Sequence, residues 1–327
     1  PGGCAIGDRP IDLHLKGLAA LGADVHIKRG CVVATAKKLQ GAKISLVGPR
    51  GPTVTGTANI MAAATLARGQ TTIVGAAREP EIVDVGRFLI AMGARIDGLG
   101  TSTIEIDGVE QLGGATHRVI PDRIEAATLL IAAAITRGSI EATGVISHHL
   151  EALLETLDRA GAEINRRDEQ VTLSMNRRPR PLRIAADAYP GIPTDVQAQL
   201  MALLTVASGT STIRDNVFPE RFAHVNELNR LGAAIAHRSD GATISGVSSL
   251  HGTTVTASDL RASAALVLAG LAARGTTIVR RIEHLDRGYE RLEEKLARLG
   301  ARIERITESD GQLSHHDLPV DNSLAAA

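Results

Sequence analysis

The sequence predicts an α/β fold built from repeated units, and two recurring tags lead to this prediction. A Gly-Ala tag recurs at separations of 71, 68, 71 and 68 residues, with its glycine at Gly22, Gly93, Gly161, Gly232 and Gly300. A second tag, a glycine followed by a short β-branched segment, recurs at separations of 69, 71 and 66 residues, at Gly69, Gly138, Gly209 and Gly275. Two unrelated tags that share a period of about seventy residues indicate duplicated α/β units.

Each unit contains the same order of elements. Runs such as "ANIMAAATLARG" and "SAALVLAGLAARG" are apolar on nearly every side and end at a glycine, which predicts buried helices with a glycine C-cap. A β-branched strand such as "TTIV" follows. Next comes an amphipathic helix such as "YERLEEKLARLGA", with Leu292, Leu296 and Leu299 on one face. Two strands such as "VHIKRGCVVATA", turning at Arg29-Gly30, complete a permuted βαβαββ unit.

Composition limits the classes of function. The 36 basic and 36 acidic residues balance to a net charge of +0, so no overall attraction to nucleic acid or to an anionic membrane is expected. No apolar run reaches the length of a membrane span. Two cysteines are too few for a disulfide framework, which favours a cytoplasmic location. We therefore expect a cytoplasmic protein that acts on small molecules.

The histidine pairs and the second cysteine do not indicate a site. His148-His149 and His315-His316 have no acidic or cysteine partner at metal-ligand spacing, so no metal site is predicted. Cys31 lies in the strand "GCVVATA" and is expected to be a small buried apolar residue.

Several predicted inner helices begin with Thr or Asp, in "VTGTANI", "PDRIEAA", "PTDVQAQ" and "SDLRASA". These residue types are preferred N-caps, and capping alone explains most of them. Asp195 differs because "YPGIPTD" surrounds it with prolines and a glycine. Its carboxylate either caps the helix or serves chemistry at the mouth of a buried helix, and the sequence leaves both possibilities open.

Arginines also recur at helix starts. Arg78, Arg221 and Arg287 precede or enter the second helix of three units, and Arg261 follows the cap residue Asp259. A guanidinium beside the positive end of a helix dipole attracts anions. Several arginines at equivalent positions of a duplicated fold therefore predict a site for an anionic ligand.

The first ten residues, "PGGCAIGDRP", place Cys4 in a glycine-rich loop close to Arg9. This stretch resembles the active-site loop of the UDP-N-acetylglucosamine 1-carboxyvinyltransferase family. Further blocks resemble that family in the same order, namely "AAREPEIVDVGRFL", "PDRIEAATLL", "IPTDVQAQL", "DLRASAALVLAG" and "DRGYERLEEKLARLGA". The resemblance runs from Pro1 to about Ile306.

The resemblance implies a fold of class α/β, an inside-out α/β barrel built from repeated βαβαββ units in two domains, with the helices inside. On this basis residues 1–118 form the first domain, 119–306 the second and 307–327 a disordered tail. Six units of about seventy residues require roughly 420 residues. The first domain is therefore expected to be incomplete and to lack the family's N-terminal Lys-Asn pair.

The resemblance also implies an activity that needs no cofactor: transfer of enolpyruvyl from phosphoenolpyruvate to the 3′-hydroxyl of UDP-N-acetylglucosamine, the first committed step of peptidoglycan synthesis. By the family's motifs, Cys4 is the proton donor, and Asp195 contacts the sugar and is the candidate base. The implied nucleotide contacts are Arg9, Pro10, Ile11, Asp12, Leu13, Thr53, Val54 and Val217. The implied phosphoenolpyruvate contacts are Arg9, Arg221, Arg261 and Arg287.

Two alternatives accompany this interpretation. The sister enzyme 3-phosphoshikimate 1-carboxyvinyltransferase shares the fold and chemistry, but it lacks the cysteine loop and has no need of the "RPIDL" segment. A chain without the Lys-Asn pair could also be an inactive fragment that binds the sugar nucleotide. The sequence makes no prediction about oligomeric state.

Overall fold

The structure is a computed structural model that describes residues 6–7 and 10–306. Cys4, Arg9 and the predicted tail lie outside the described residues. The α-helices of the described part are α1 (Asp12–Ala20), α2 (Val54–Ala64), α3 (Pro80–Ala91), α4 (Arg123–Ile135), α5 (Glu151–Ala160), α6 (Gln197–Thr205), α7 (His224–Arg230), α8 (Leu260–Ala272) and α9 (Leu292–Arg298). Short 3-10 helices cover Ser147–Leu150, Thr194–Val196 and Ile282–Arg287. None of the helices in this part of the chain is both long and apolar enough to cross a lipid bilayer.

The strands fall before and after the segment 108–122. Those before it are β1 (Asp24–Lys28), β2 (Cys31–Thr35), β3 (Lys43–Ser45), β4 (Val47–Gly48), β5 (Gly51–Pro52), β6 (Gln70–Val74), β7 (Arg95–Asp97) and β8 (Thr103–Asp107). Those after it are β9 (Ser139–Thr143), β10 (Glu163–Arg167), β11 (Gln170–Ser174), β12 (Arg183–Ala186), β13 (Thr210–Asp215), β14 (Ala234–Arg238), β15 (Gly241–Ser245), β16 (Leu250–His251), β17 (Thr254–Thr256), β18 (Ala273–Arg274) and β19 (Ile278–Arg280).

Two four-stranded sheets repeat the same topology. One has the order β3-β6-β8-β7 and the other β12-β13-β15-β14. In each sheet the first pair is parallel and the other two pairs are antiparallel. Helix α2 or α6 crosses between the two parallel strands. Helix α6 is buried throughout, whereas α2 is buried on one side only and leaves Val54, Thr55, Asn59 and Ala62 exposed, so the prediction of a fully buried helix is wrong for α2. The duplication predicted from the spacing of the glycine tags is therefore present in the strand order.

The inner helices of the second half lie against one another. Helix α6 contacts α8, and both contact α4. All nine residues of α6 are buried, and α4 and α8 are buried over most of their length. The sequence explains this burial, because Ala, Leu and Ile occupy nearly every side of these helices and allow close approach. Sheets and amphipathic helices cover the inner helices from outside.

The apolar residues form two separate cores. The N-terminal core runs from Leu21 to Ile106, and the C-terminal core runs from Ile124 to Leu296. The segment 108–122 connects them. The proposed boundary near residue 118 falls in this connection, and the division into domains remains a prediction.

The hairpin β1–β2 turns at Arg29-Gly30 as predicted, with φ of 51° and 77°. The prediction that Cys31 is buried is wrong, because this residue is exposed at the start of β2. The physical reason is that β1 and β2 pair only with each other in the described part of the chain. Ile27 of the same hairpin is consequently 68% exposed.

Helix α9 is shorter than predicted. Leu292 and Leu296 are buried at 1% and 2% exposure, as the amphipathic pattern predicts. Leu299 is 54% exposed, because α9 ends at Arg298 and Leu299 is its C-cap residue. The apolar periodicity of the sequence therefore extends one residue beyond the C-terminal end of α9.

Candidate active site

Asp195 lies between two arginines at the mouth of the inner helices. It belongs to the 3-10 helix that leads into α6, while Arg221 follows β13 and Arg261 lies in the first turn of α8. Asp195 Oδ1 accepts a hydrogen bond from Arg221 Nη1 at 2.7 Å, and Oδ2 accepts one from Arg261 Nη2 at 3.3 Å. The two arginine side chains are 6% and 9% exposed, against 41% for Asp195. The Asp195 carboxylate is therefore the exposed part of the cluster, and the two arginines lie buried beneath it.

The Asp195 side chain does not cap a helix. Asp259 accepts from the backbone N–H groups of α8, Asp122 from those of α4, and Thr53 from Gly56 N of α2. In contrast, neither the 3-10 helix that contains Asp195 nor α6 has a side-chain cap. Of the two possibilities that the sequence left open, capping is thus excluded in this structure.

The arginines set the charge of Asp195. Burial alone would raise the pKa of this carboxyl, but Arg261 and Arg221 together hold it below its ordinary value. Burial alone would likewise lower the pKa of Arg261, but Asp195 and then Tyr289 raise it. Asp195 and Arg261 therefore both carry their charges at neutral pH.

Two residues that the sequence analysis missed extend this cluster. The Thr194 hydroxyl donates to Asp215 Oδ2 at 2.6 Å and accepts from Arg221 Nη1 at 3.1 Å. Asp215 Oδ1 accepts from the backbone N–H groups of Val217 and Phe218 at 2.9 and 2.7 Å. Burial raises the pKa of Asp215 despite these hydrogen bonds. The one available signal was an acid at the end of β13, two positions before the predicted contact Val217.

The described part of the cysteine loop lies beside this cluster. A side-chain carbon built on Gly7 would lie 3.1 Å from Glu220 Oε2, and Gly7 has a φ of +105°. Gly7 follows Cys4 by three positions, and Glu220 directly precedes Arg221. Gly7 therefore lies next to the residue that precedes Arg221 of the C-terminal core. Cys4 and Arg9 themselves lie outside the described residues.

Two stretches of predicted nucleotide contacts, residues 10–13 and 53–54, lie at one corner of the N-terminal core. Ile11 is the N-cap residue of α1, Asp12 and Leu13 form its first turn, and Pro10 precedes it as an exposed residue. Helix α1 contacts α2, whose first residue is Val54.

His14 joins the two helices, with Nε2 3.2 Å from Thr55 Oγ1 and Nδ1 2.9 Å from Asn59 Nδ2. The two predicted stretches, 10–13 and 53–54, therefore lie at the starts of neighbouring helices.

The remaining predicted residues are distributed around the C-terminal core. Val217 is half-buried in the loop after β13. Arg287 is exposed at the end of the 3-10 helix Ile282–Arg287, which contacts α8. Arg78 donates to the backbone carbonyl of Tyr189 at 3.2 Å, so it bridges the two cores.

A second bridge between the cores borders a cavity. Arg123 of α4 donates to both carboxylate oxygens of Glu81 on α3, at 2.8 and 3.2 Å. Arg123 also lines a cavity of about 230 Å³ together with His149 and Tyr189. Burial, followed by the neighbouring His148, lowers the pKa of His149. Within the described ranges, no group of three or more His, Cys, Asp or Glu side chains could hold a metal ion.

Comparison with known proteins identifies the class. Residues 1–296 match the EPSP synthase family, described as EPSP synthase (3-phosphoshikimate 1-carboxyvinyltransferase). The solved structure of the enolpyruvyl transferase NikO from Streptomyces tendae superposes with a TM-score of 0.81 at 28% identity, covering 90% of this chain and 72% of NikO. An EPSP synthase from Acinetobacter baumannii superposes with a TM-score of 0.66 at 20% identity, covering 91% of this chain and 72% of that one. The chain therefore belongs to this family of enolpyruvyl transferases, and the expected fold is confirmed.

Curated relatives indicate which kind of enolpyruvyl transferase the chain is most similar to among those compared. The chain is 54% identical to the UDP-N-acetylglucosamine 1-carboxyvinyltransferase of Geotalea daltonii, over 94% of this chain and 73% of that protein. It is 55% identical to the enzyme of the same name from Geobacter metallireducens, again over 94% and 73%. The expected resemblance is thus confirmed, and the protein is a transferase of small molecules.

Proposed function

We propose that this chain transfers the enolpyruvyl group of phosphoenolpyruvate to the 3′-hydroxyl of UDP-N-acetylglucosamine and releases inorganic phosphate. Relatives named for this activity are 54–55% identical to the chain. The 20% identity to an EPSP synthase supports a shared fold alone, which weighs against 3-phosphoshikimate as the acceptor. The proposal includes a cytoplasmic location and a role in peptidoglycan synthesis.

The observation that carries the proposal is the Asp195–Arg221–Arg261 cluster. The reaction needs cations for the phosphate and carboxylate of phosphoenolpyruvate, and a base for the hydroxyl that attacks. Arg261 Nε and Nη1 are buried and have no hydrogen-bond partner among the described residues. Arg261 thus has unused donors on the same guanidinium that pairs with the Asp195 carboxylate, and we take these as the groups that engage the anion when the guanidinium turns toward it.

The proposed chemistry proceeds by addition and elimination. The sugar oxygen forms a bond to C2 of phosphoenolpyruvate, Asp195 takes the hydroxyl proton, and Cys4 delivers a proton to the methylene carbon C3. The resulting tetrahedral species then returns a C3 proton to the Cys4 thiolate as the C2–O bond to phosphate breaks, and the departing phosphate takes the proton that Asp195 had accepted. This step restores the double bond and releases phosphate. Arg221, Arg261 and Arg287 offset the charge of the transferred group throughout.

The cluster also suggests how Asp195 becomes a base. Paired to two arginines, its carboxylate is ionised but holds a proton poorly, because its pKa is lowered. An incoming phosphate or carboxylate competes for the same guanidinium groups. When the arginines turn to this anion, Asp195 loses its counter-charges and its pKa rises. Binding of phosphoenolpyruvate would thus strengthen the base that activates the second substrate.

The experiment is a colorimetric assay of phosphate release by the purified protein with both substrates. Reactions that omit either substrate serve as controls, and shikimate 3-phosphate is tested as the alternative acceptor. We expect phosphate only when phosphoenolpyruvate and UDP-N-acetylglucosamine are both present. Release with shikimate 3-phosphate would contradict the assigned acceptor. A rise in melting temperature with UDP-N-acetylglucosamine but no phosphate release would support the inactive sugar-nucleotide-binding fragment.

A further inference from the structure

A buried hydroxyl pair lies directly behind the Asp195 cluster. Thr128 Oγ1 on α4 lies 2.9 Å from the phenol oxygen of Tyr289, which follows the 3-10 helix Ile282–Arg287. Gln199 Nε2 on α6 lies 3.2 Å from each of these oxygens, and its two N–H groups are shared among them and the backbone carbonyl of Asp195. The same nitrogen lies 2.9 Å from the backbone carbonyl oxygen of Asp195. One amide group thus joins the hydroxyl pair to the backbone of the candidate base.

The network also reaches Arg261. The guanidinium carbon of Arg261 lies 5.3 Å from the centroid of the Tyr289 ring, within range of a cation–π interaction. Tyr289 is 2% exposed, and Thr128 and Gln199 are fully buried. Tyr289 also follows Arg287 by two positions, so fixing its ring restrains the backbone that carries this arginine. Three helices and one loop therefore converge on a single phenol.

We propose that Thr128, Gln199 and Tyr289 act as positioning residues, which hold Arg261 and Asp195 in the geometry that binds the anionic group. None of the three needs to touch a substrate. The hydrogen bond from Gln199 fixes the backbone of Asp195, and the anchored ring of Tyr289 limits the rotamers of Arg261. A buried polar network with fixed geometry rigidifies what it contacts. The identity of the anion rests on the proposed function, whereas the positioning role does not.

Thr128→Val tests the proposal, because it removes one hydroxyl with little change in shape. Thr156→Val on α5 is the matched control. Both threonines are buried, at 0% and 5% exposure. Each hydroxyl donates to the carbonyl four residues earlier, at 2.9 Å for Thr128 and 2.7 Å for Thr156. The two variants therefore lose the same helical hydrogen bond, but only Thr128→Val breaks the network.

The measurements are melting temperature, binding of inorganic phosphate by calorimetry, and the KM for phosphoenolpyruvate. We expect both variants to lose stability to a similar extent. Only Thr128→Val should weaken phosphate binding and raise this KM, each about three- to tenfold, as expected for the loss of one buried hydrogen bond. Thr128→Ser keeps the hydroxyl and should restore both values.

Equal phosphate affinities for Thr128→Val and Thr156→Val would overturn the proposal and reduce the network to a structural role. If Thr128→Val does not fold, Tyr289→Phe provides the same test, because it keeps the ring and removes the other hydroxyl. Tyr189→Phe is then the control. A protein that binds phosphate but releases none from the two substrates would contradict the proposed function. The phosphate affinities of the variants would still decide the positioning role.

Discussion

The carboxylate of Asp195 forms ion pairs with two arginines at once, with Oδ1 2.7 Å from Arg221 Nη1 and Oδ2 3.3 Å from Arg261 Nη2. The same carboxylate is proposed to accept the proton of the attacking hydroxyl. These two roles conflict in charge, because arginines that stabilise the carboxylate make it a weaker base. The conflict is resolved if the two arginines release Asp195 and pair with the incoming anion. This exchange predicts that loss of the carboxylate lowers turnover but tightens anion binding.

Asp195→Asn should lower turnover about 10²- to 10⁴-fold, because asparagine cannot accept the proton. The same change should tighten binding of inorganic phosphate, since no carboxylate then competes for the two arginines. Phosphate release and calorimetry measure the two effects. Asp240→Asn is the control, because it removes the acid of an ion pair with Arg214 whose side chains are 67% and 64% exposed.

Near-normal turnover of Asp195→Asn would remove Asp195 from the role of base. Weaker phosphate binding by this variant would show that the carboxylate holds the arginines in place and does not compete with the anion. Either result would contradict the exchange of arginines. The control variant should change neither quantity.

The stability of the protein should depend on His224 between about pH 4 and pH 6.5. Burial lowers the pKa of this histidine to about 4, with opposing influence from Asp259. Between the folded value and the ordinary value of 6.5, the unfolded chain binds the proton and the folded chain does not. Stability is therefore complete above pH 6.5 and falls as the pH drops toward 4, by about 3 kcal/mol.

His224→Gln should flatten this part of the profile, as measured by urea unfolding at a series of pH values. His251→Gln, at an exposed position, should leave the slope unchanged. The raised pKa of Asp215 acts in the opposite direction near pH 4, but it is present in every variant and cancels in the comparison. An unchanged slope in His224→Gln would mean that the histidine is charged in the folded protein.

Local patterns in the sequence were sufficient to predict the repeated architecture. The glycine tags follow the same elements in each unit, so their spacing of about seventy residues reflects the recurring strand order. The caps Asp122 and Asp259 were also predictable, because a cap and its helix are neighbours in the chain. The cap of α2, Thr53, lies one residue before the segment "VTGTANI" in which a cap was expected.

Contacts between distant segments were not predictable in the same way. Thr128 and Tyr289 are 161 positions apart, and each alone has the appearance of an ordinary core residue. Cys31 has a strand pattern typical of a buried residue, but burial depends on a neighbouring element that the pattern does not specify. Asp195 was singled out by its surrounding prolines, whereas its pairing with Arg221 after β13 and Arg261 on α8 emerges only from the packing of these segments.

The bidentate pair between Arg123 and Glu81 should couple the two cores measurably. Arg123 is 9% exposed and donates twice to one carboxylate, a geometry that strengthens an ion pair. A double-mutant cycle with Arg123→Met and Glu81→Gln should give a coupling of about 1 kcal/mol. The same cycle on Arg214 and Asp240 should give a value near zero, because both side chains are largely exposed. Equal couplings would show that the inter-core pair adds nothing beyond a surface contact.

Of the two cysteines, Cys4 should be needed for turnover and Cys31 should not, although Cys31 is open to reagents. Cys31 is exposed, so a neutral maleimide should label it readily, as measured by peptide mass spectrometry. Cys31→Ser should keep full turnover and change stability by less than about 0.5 kcal/mol, as is usual at an exposed site. Cys4→Ser should lose turnover, because a hydroxyl is a far weaker acid than a thiol in the proposed proton delivery to C3.

An epoxide phosphonate distinguishes the two thiols further. Its anion should bind the arginines beside Gly7 and Glu220, which lie next to the cysteine loop, and its epoxide should then alkylate Cys4. Cys31 lies on a hairpin outside the cluster and should stay unlabelled at equal exposure time. Excess inorganic phosphate should slow the reaction at Cys4 but leave the maleimide reaction at Cys31 unchanged. Labelling of Cys31 by the phosphonate, or no effect of phosphate at Cys4, would contradict the placement of the reactive thiol beside the anion site.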